Sequence, residues 1–181
     1  MRGVILYGPP ASGKDTVAAA LRQLDDRYRQ FRRLKAGPGR IAGYRMTTDA
    51  ELEALRASGC GVVWENRRYG SVYVVDSHGL RRELHDGIPV VHLGQVDAVD
   101  AVRDAFPDAQ WTVVALTCPR DVAEVRIAQR QTGDTVERLQ AWDETEEIES
   151  ADLTIDTSET RPDRAAELID QAVKGSVTAP E

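Results

Sequence analysis

The segment Gly8-Pro9-Pro10-Ala11-Ser12-Gly13-Lys14-Asp15-Thr16 follows a short apolar run, Gly3 to Tyr7, and leads into apolar residues at helical spacing (Val17, Ala20, Leu21, Leu24). Strand, glycine turn and helix in that order make a phosphate-binding unit, because the turn aims backbone N–H groups at an anion at the positive end of the helix. The spacing GxxxxGK is intact, with Gly8, Gly13 and Lys14 at its fixed positions. Gly8, Ala11, Ser12 and Gly13 are therefore expected to cradle a triphosphate, and Lys14 to span its β- and γ-phosphates. Asp15 stands where such loops carry Ser or Thr, with Thr16 one place later, so both are candidates for holding Mg²⁺. ATP and Mg²⁺ are the ligands this chemistry asks for.

The rest of the chain alternates in the same manner. Strands are predicted over 89–93, 111–116 and 153–156, and helices over 77–86, 96–105, 121–131, 136–147 and 162–173. Such alternation predicts a mainly parallel sheet covered on both faces. Residues 36–76 interrupt it with a glycine-rich loop, a short helix over 49–57 and a hairpin, as a small insert would. At 181 residues the chain suits one domain, and it contains no apolar run long enough to span a membrane. Met1-Arg2 leads directly into a strand rather than a signal peptide, and Cys60 and Cys118 show neither disulfide framework nor metal spacing. A cytoplasmic location is expected.

The formal net charge of −7 argues against a general nucleic-acid binder, but it is unevenly divided. Residues 22–45 carry eight cations against Asp25 and Asp26, whereas residues 141–163 carry nine acids against Arg161. A basic segment within an acidic protein suggests a focused site for an anionic small molecule. His78, His85 and His92 are too scattered for a metal site. His92 ends the strand predicted over 89–93, at the edge where open α/β sheets bind ligands, and no acidic residue ends that strand.

On these residues the chain resembles the guanylate kinase-like group of P-loop kinases over nearly its whole length. In that family two cations and a tyrosine grip the acceptor phosphate, with the cations twelve and nine residues before the tyrosine. Counting back from Tyr44 reaches Arg32 and Lys35, and Tyr69-Gly70-Ser71 matches a second phosphate-gripping motif. The resemblance implies acceptor contacts from Arg32, Lys35, Tyr44, Tyr69 and Ser71. Where the family reads guanine with acids, the aligned positions here are Val63 and Leu93, and the nearest acid, Glu65, is the remaining candidate for a contact to the body of the substrate. A second relative, the ribose 1,5-bisphosphate phosphokinases of phosphonate metabolism, is similar in Gly13-Lys14-Asp15-Thr16, in Trp64 with Tyr69-Gly70, and around Leu93-Gly94. Both families move the γ-phosphoryl of ATP to a phosphate group.

The same resemblance implies a lid in which Arg126, Arg130 and Arg138 balance charge on the moving phosphoryl group, and an adenine loop with Thr157 and Ser158 after the last strand. The expected architecture is a three-layer α/β P-loop NTPase fold in one domain, 1–181. Its core spans 1–35, 77–120 and 150–174, with an acceptor-binding insert at 36–76 and a helical lid at 121–149. The expected activity is an ATP-dependent kinase acting on a small phosphorylated metabolite, first a nucleoside monophosphate. Alternatives are a ribose 1,5-bisphosphate phosphokinase, making a ribosyl diphosphate, or a non-catalytic nucleotide-binding module. No nucleic-acid or membrane partner is expected, and the chain is expected to be a monomer or homodimer.

Overall fold

A computed structural model of the chain describes residues 1–68, 70–130 and 133–175. Its first half runs β1 (Arg2–Tyr7), α1 (Lys14–Leu24), β2 (Tyr28–Gln30), β3 (Leu34–Ala36), β4 (Arg45–Met46), α2 (Asp49–Ala57), β5 (Val62–Arg68) and β6 (Ser71–Asp76). Its second half runs α3 (Ser77–Asp86), β7 (Ile88–Leu93), α4 (Val96–Ala105), β8 (Gln110–Thr117), α5 (Arg120–Gln129), α6 (Thr135–Asp143), β9 (Leu153–Asp156) and α7 (Pro162–Gly175).

Five strands form a parallel sheet in the order β2-β7-β1-β8-β9. Alternation along β1 explains its central place. Val4 and Leu6 face one layer with Val17, Leu21, Ala165 and Ile169 of α1 and α7, while Ile5 faces the other with Leu80, Leu84, Val99 and Val102 of α3 and α4. Strands buried on both faces read as continuous apolar runs, as β1 and β7 do. The expected three-layer α/β fold is present.

A second sheet, ordered β4-β3-β6-β5, is the insert. One of its faces packs Ala36, Val72 and Val74 against Leu52 of α2, giving the insert its own small core. The helix α2 starts where Thr48 accepts from Glu51 N and the Glu51 side chain returns the contact, a complete capping box. The insert's first strand begins at Leu34, two residues before the expected boundary. β2, β3 and β4 have no counterpart in the sequence pattern. They are two or three residues long and rich in cations, too short for any periodicity to register.

Helices α5 and α6 occupy the segment expected to form a lid, and Ala123 and Ile127 seat α5 against Ala11 of the phosphate loop and Cys118. The helix α6 ends at Asp143, four residues before its expected limit, and the acidic chain beyond is coil. That coil is tied back to the core where the Tyr7 hydroxyl donates to the Glu146 carbonyl at 2.6 Å. Gln131, the expected end of α5, lies outside the described residues.

Candidate active site

The phosphate loop sits at the carboxyl end of β1, between β7 and β8, where an open parallel sheet leaves a crevice. Two glycines are required there by geometry. Gly8 has φ +148°, and a Cβ on it would collide with the Leu116 carbonyl; Gly13 has φ +93°, and a Cβ on it would crowd Thr157 at 3.2 Å. Ala11 takes the same left-handed region at φ 64°. Ser12 is fully buried. These residues hold the loop open at the first turn of α1, as the spacing predicts.

Lys14 folds back over this loop, donating to the carbonyls of Gly8 and Pro9 (2.7 Å to Pro9) and to Ser12 Oγ at 3.3 Å. Burial pushes its ammonium down to about 7, opposed by Asp15 and assisted by Arg33 and Arg130. An unfolded lysine titrates near ~10.4, so between these values the unfolded chain binds more protons. Stability of the nucleotide-free protein should therefore rise with pH across that window. The expected result is a Tm for wild type that climbs relative to Lys14→Met between pH 7 and 9. Thermal melts at several pH values check it, and a gap independent of pH would refute it. Saturation with a non-hydrolysable ATP analogue should remove the slope, because phosphate anions favour the charged lysine.

Asp15 lines the cleft, and three elements converge on its carboxylate. His92 Nδ1 lies 3.4 Å from Oδ1, Gln30 Nε2 lies 3.5 Å from Oδ1, and Arg40 Nη1 lies 3.4 Å from Oδ2. The His92 hydrogen bond, with Arg40, holds the Asp15 carboxyl well below the usual carboxylate range despite partial burial. Burial lowers the His92 pKa in turn, so at neutral pH the pair is a carboxylate beside a neutral ring. Thr16 is exposed and does not line the cleft. No cluster of three metal-ligating side chains exists among the described residues, so Mg²⁺ would rest on Asp15 and the nucleotide's phosphates.

Across the cleft stands the insert, and here the structure redistributes the expected roles. Arg33 lines the cleft, its guanidinium 5.4 Å from the Tyr73 ring centre and 6.0 Å from that of Tyr44. Arg32 is exposed outside the cleft, and its carbonyl accepts from Arg45 Nε at 2.7 Å. Extended chain alternates sides, so Arg33, two residues from Lys35, shares its face, whereas Arg32, three residues away, does not. The same alternation among Arg32, Arg33 and Lys35 marks Arg33 in the sequence as the residue that shares the face of Lys35.

Lys35 does line the cleft, but it is 1% exposed and donates to the carbonyls of Pro38 (2.6 Å) and Arg40 (2.8 Å). It shapes the 37–43 loop as well as facing the ligand. Tyr44 lines the cleft. Ser71 does not; it is buried behind the loop and donates to the Pro38 carbonyl at 2.9 Å. Tyr69 lies outside the described residues.

Glu65 is turned away altogether. A bulge between Val62 and Trp64 shifts the register, setting Glu65 opposite Val74 on the α2 side, where Arg56 binds it at 2.9 Å. Its neighbour Asn66 takes the cleft side instead, opposite Tyr73.

On the lid, Arg130 and Arg138 line the cleft, Arg138 donating to Asp134 at 2.7 Å. Arg126 is a correction. It donates to the Ala11 carbonyl (3.1 Å), Thr157 Oγ1 (2.9 Å) and the Thr157 carbonyl (2.9 Å), clamping the last strand's loop to the phosphate loop. Four residues on, just over one helical turn, Arg130 caps the end of α5 and lines the cleft instead. Thr157 is the other half of this clamp, with its N–H on the Thr117 carbonyl at 2.9 Å and its hydroxyl 3.1 Å from the Ser12 carbonyl. Ser158 turns to Asp156 at 2.6 Å. Neither lines the cleft.

The chain is similar to known proteins over nearly its whole length. A family model described as chloramphenicol phosphotransferase-like protein matches residues 2–174. No curated protein matches the chain. Among solved structures, guanylate kinase from Anaplasma phagocytophilum superposes with a TM-score of 0.61 at 10% identity, covering 98% of this chain and 87% of that one. The protein APE1195 superposes with a TM-score of 0.58 at 14% identity, covering 96% of this chain and 95% of the other. At such identities the likeness is one of fold.

Proposed function

The chain belongs to the chloramphenicol phosphotransferase-like proteins, a family of P-loop kinase-like phosphotransferases, and within it we propose a kinase that moves the γ-phosphoryl group of ATP onto a phosphate group of a small acceptor. The observation that carries this reading is the wall facing the phosphate loop. It presents Arg33, Lys35, Arg40 and Arg68 with Tyr44 and Tyr73, while the lining acids, Asp15 and Asp134, engage His92 and Arg138. Cations and phenols suit a dianion. A phosphate oxygen is already anionic and attacks without a base, whereas an alcohol needs its proton removed. A nucleoside monophosphate and a sugar phosphate both meet this requirement.

The residues present fit ATP. The loop amides of 8–14 would surround the β-phosphate, and Lys14 would exchange its two carbonyl partners for phosphate oxygens. Mg²⁺, when bound, neutralises the β- and γ-phosphate oxygens, and Asp15 is the carboxylate placed to hold it. Arg130 and Arg138 would balance the charge on the transferring group, and closure of α5 and α6 over the cleft would exclude water.

One observation favours a second reading, an alcohol acceptor. His92 lines the cleft and its Nε2 is buried with no hydrogen-bond partner among the described residues, a position from which it would take a proton. ADP release measured with nucleoside monophosphates, ribose phosphates and unphosphorylated alcohols, chloramphenicol among them, separates the two. Turnover of phosphorylated acceptors alone is the expected result. Turnover of an alcohol and of no phosphate would overturn it.

A further inference from the structure

The cleft face of the insert is one row across three strands. Lys35 on β3 stands opposite Tyr73 on β6, which stands opposite Asn66 on β5. Lys35 and Tyr73, with Arg33 beside them, make the cationic and phenolic part of that face. Asn66 lines the same cleft, yet its Oδ1 is buried and has no hydrogen-bond partner among the described residues. A buried amide oxygen left unpaired is a standing cost, and folded proteins keep few of them without a use.

We propose that Asn66 is the specificity residue of the acceptor site, its Oδ1 accepting a hydrogen bond from a hydroxyl or amine that the acceptor carries beyond its phosphate. This rests on the phosphate-acceptor reading above. A carboxamide oxygen only accepts, so it selects for O–H or N–H groups, whereas Arg33, Lys35 and Arg68 only donate and select for the anion. The cleft wall is thereby divided into a part for the charge and a part for the body of the molecule. Strands lie about 4.8 Å apart, which sets Asn66 about 9.5 Å from Lys35, two spacings away. The donor must therefore stand a ring's length or more from the phosphate, as a sugar hydroxyl or a base amine does. Oδ1 is closed to water in this state, so the cleft wall beside Asn66 must open for the acceptor to reach it.

Calorimetric titration of the full chain tests this with methyl phosphate, which has no donor on its body, and with ribose 5-phosphate, GMP and IMP. The expected result is a preference of about tenfold or more for a donor-bearing phosphate over methyl phosphate, the worth of one well-made hydrogen bond. That preference should collapse towards unity in Asn66→Leu and persist in Asn66→Asp, which keeps an accepting oxygen. Ribose 5-phosphate already showing the full preference identifies a sugar hydroxyl as the donor. GMP binding more tightly than IMP identifies the base amine. Methyl phosphate binding as tightly as the others, or Asn66→Leu leaving the preference intact, overturns the proposal. ADP release in the same samples is read separately. A preference without turnover of any phosphate would retire the kinase reading and leave the role of Asn66 standing.

Discussion

Replacing Lys14 by alanine should lower kcat by about a thousandfold or more while leaving the fold intact, the scale expected when a preorganised charge on the transferring group is removed. The reason is positional. Lys14 is the ammonium that reaches the loop's interior, and its carbonyl partners at Gly8 and Pro9 are backbone atoms that every variant retains. The surrounding loop is held by other means, through the left-handed glycines at 8 and 13 and the Arg126–Thr157 clamp. Circular dichroism should therefore be unchanged, and a non-hydrolysable ATP analogue should still bind, though more weakly. Coupled ADP release checks the rate. Activity within tenfold of wild type would remove Lys14 from the chemistry and favour a nucleotide-binding module without catalysis.

The second large effect distinguishes two adjacent arginines. Arg33→Ala should reduce kcat/KM for the acceptor by about 10- to 100-fold, since a hydrogen bond to a charged partner is worth about 1.5–3 kcal/mol. Arg32→Ala should change it less than about threefold, because an exposed cation outside the cleft contributes little. The KM for ATP should stay near wild type in both variants. Steady-state kinetics with the acceptor varied at saturating ATP decides the matter. Equal losses in the two variants, or a larger loss at Arg32, would return the phosphate grip to the position that motif spacing alone selects.

The two arginines differ in a property that spacing along the chain does not carry. A spacing rule anchored on Tyr44 transfers positions along the chain, but a side chain's direction depends on the local pleat. Three residues from Lys35 lands on the wrong face and two lands on the right one. Glu65 failed for a related cause. The bulge at Val62/Trp64 inserts one residue and reverses which side chains of β5 look inward. No residue in Gly61-Val62-Val63-Trp64 announces that bulge. Arg126 failed for a third reason. Its partners, Ala11 and Thr157, lie 115 and 31 residues away, so only the packing of α5 on the phosphate loop brings them together. The long elements fared better, because β1, β7 and β8 are continuous apolar runs and α1 and α7 carry regular apolar faces.

The phosphate loop, the parallel three-layer core and the inserted second sheet are legible in the chain itself. Each is written in local order, in glycines at fixed offsets or in apolar periods long enough to outweigh noise. Assembly of the elements sets which side chains share the cleft, Arg33 rather than Arg32 and Asn66 rather than Glu65, and makes Arg126 a clamp between loops. The division follows from the physics. Hydrophobic burial and backbone geometry act over neighbouring residues and leave periodic marks. Which face a strand turns inward, and which distant carbonyl an arginine meets, depend on register and packing that arise when the elements assemble.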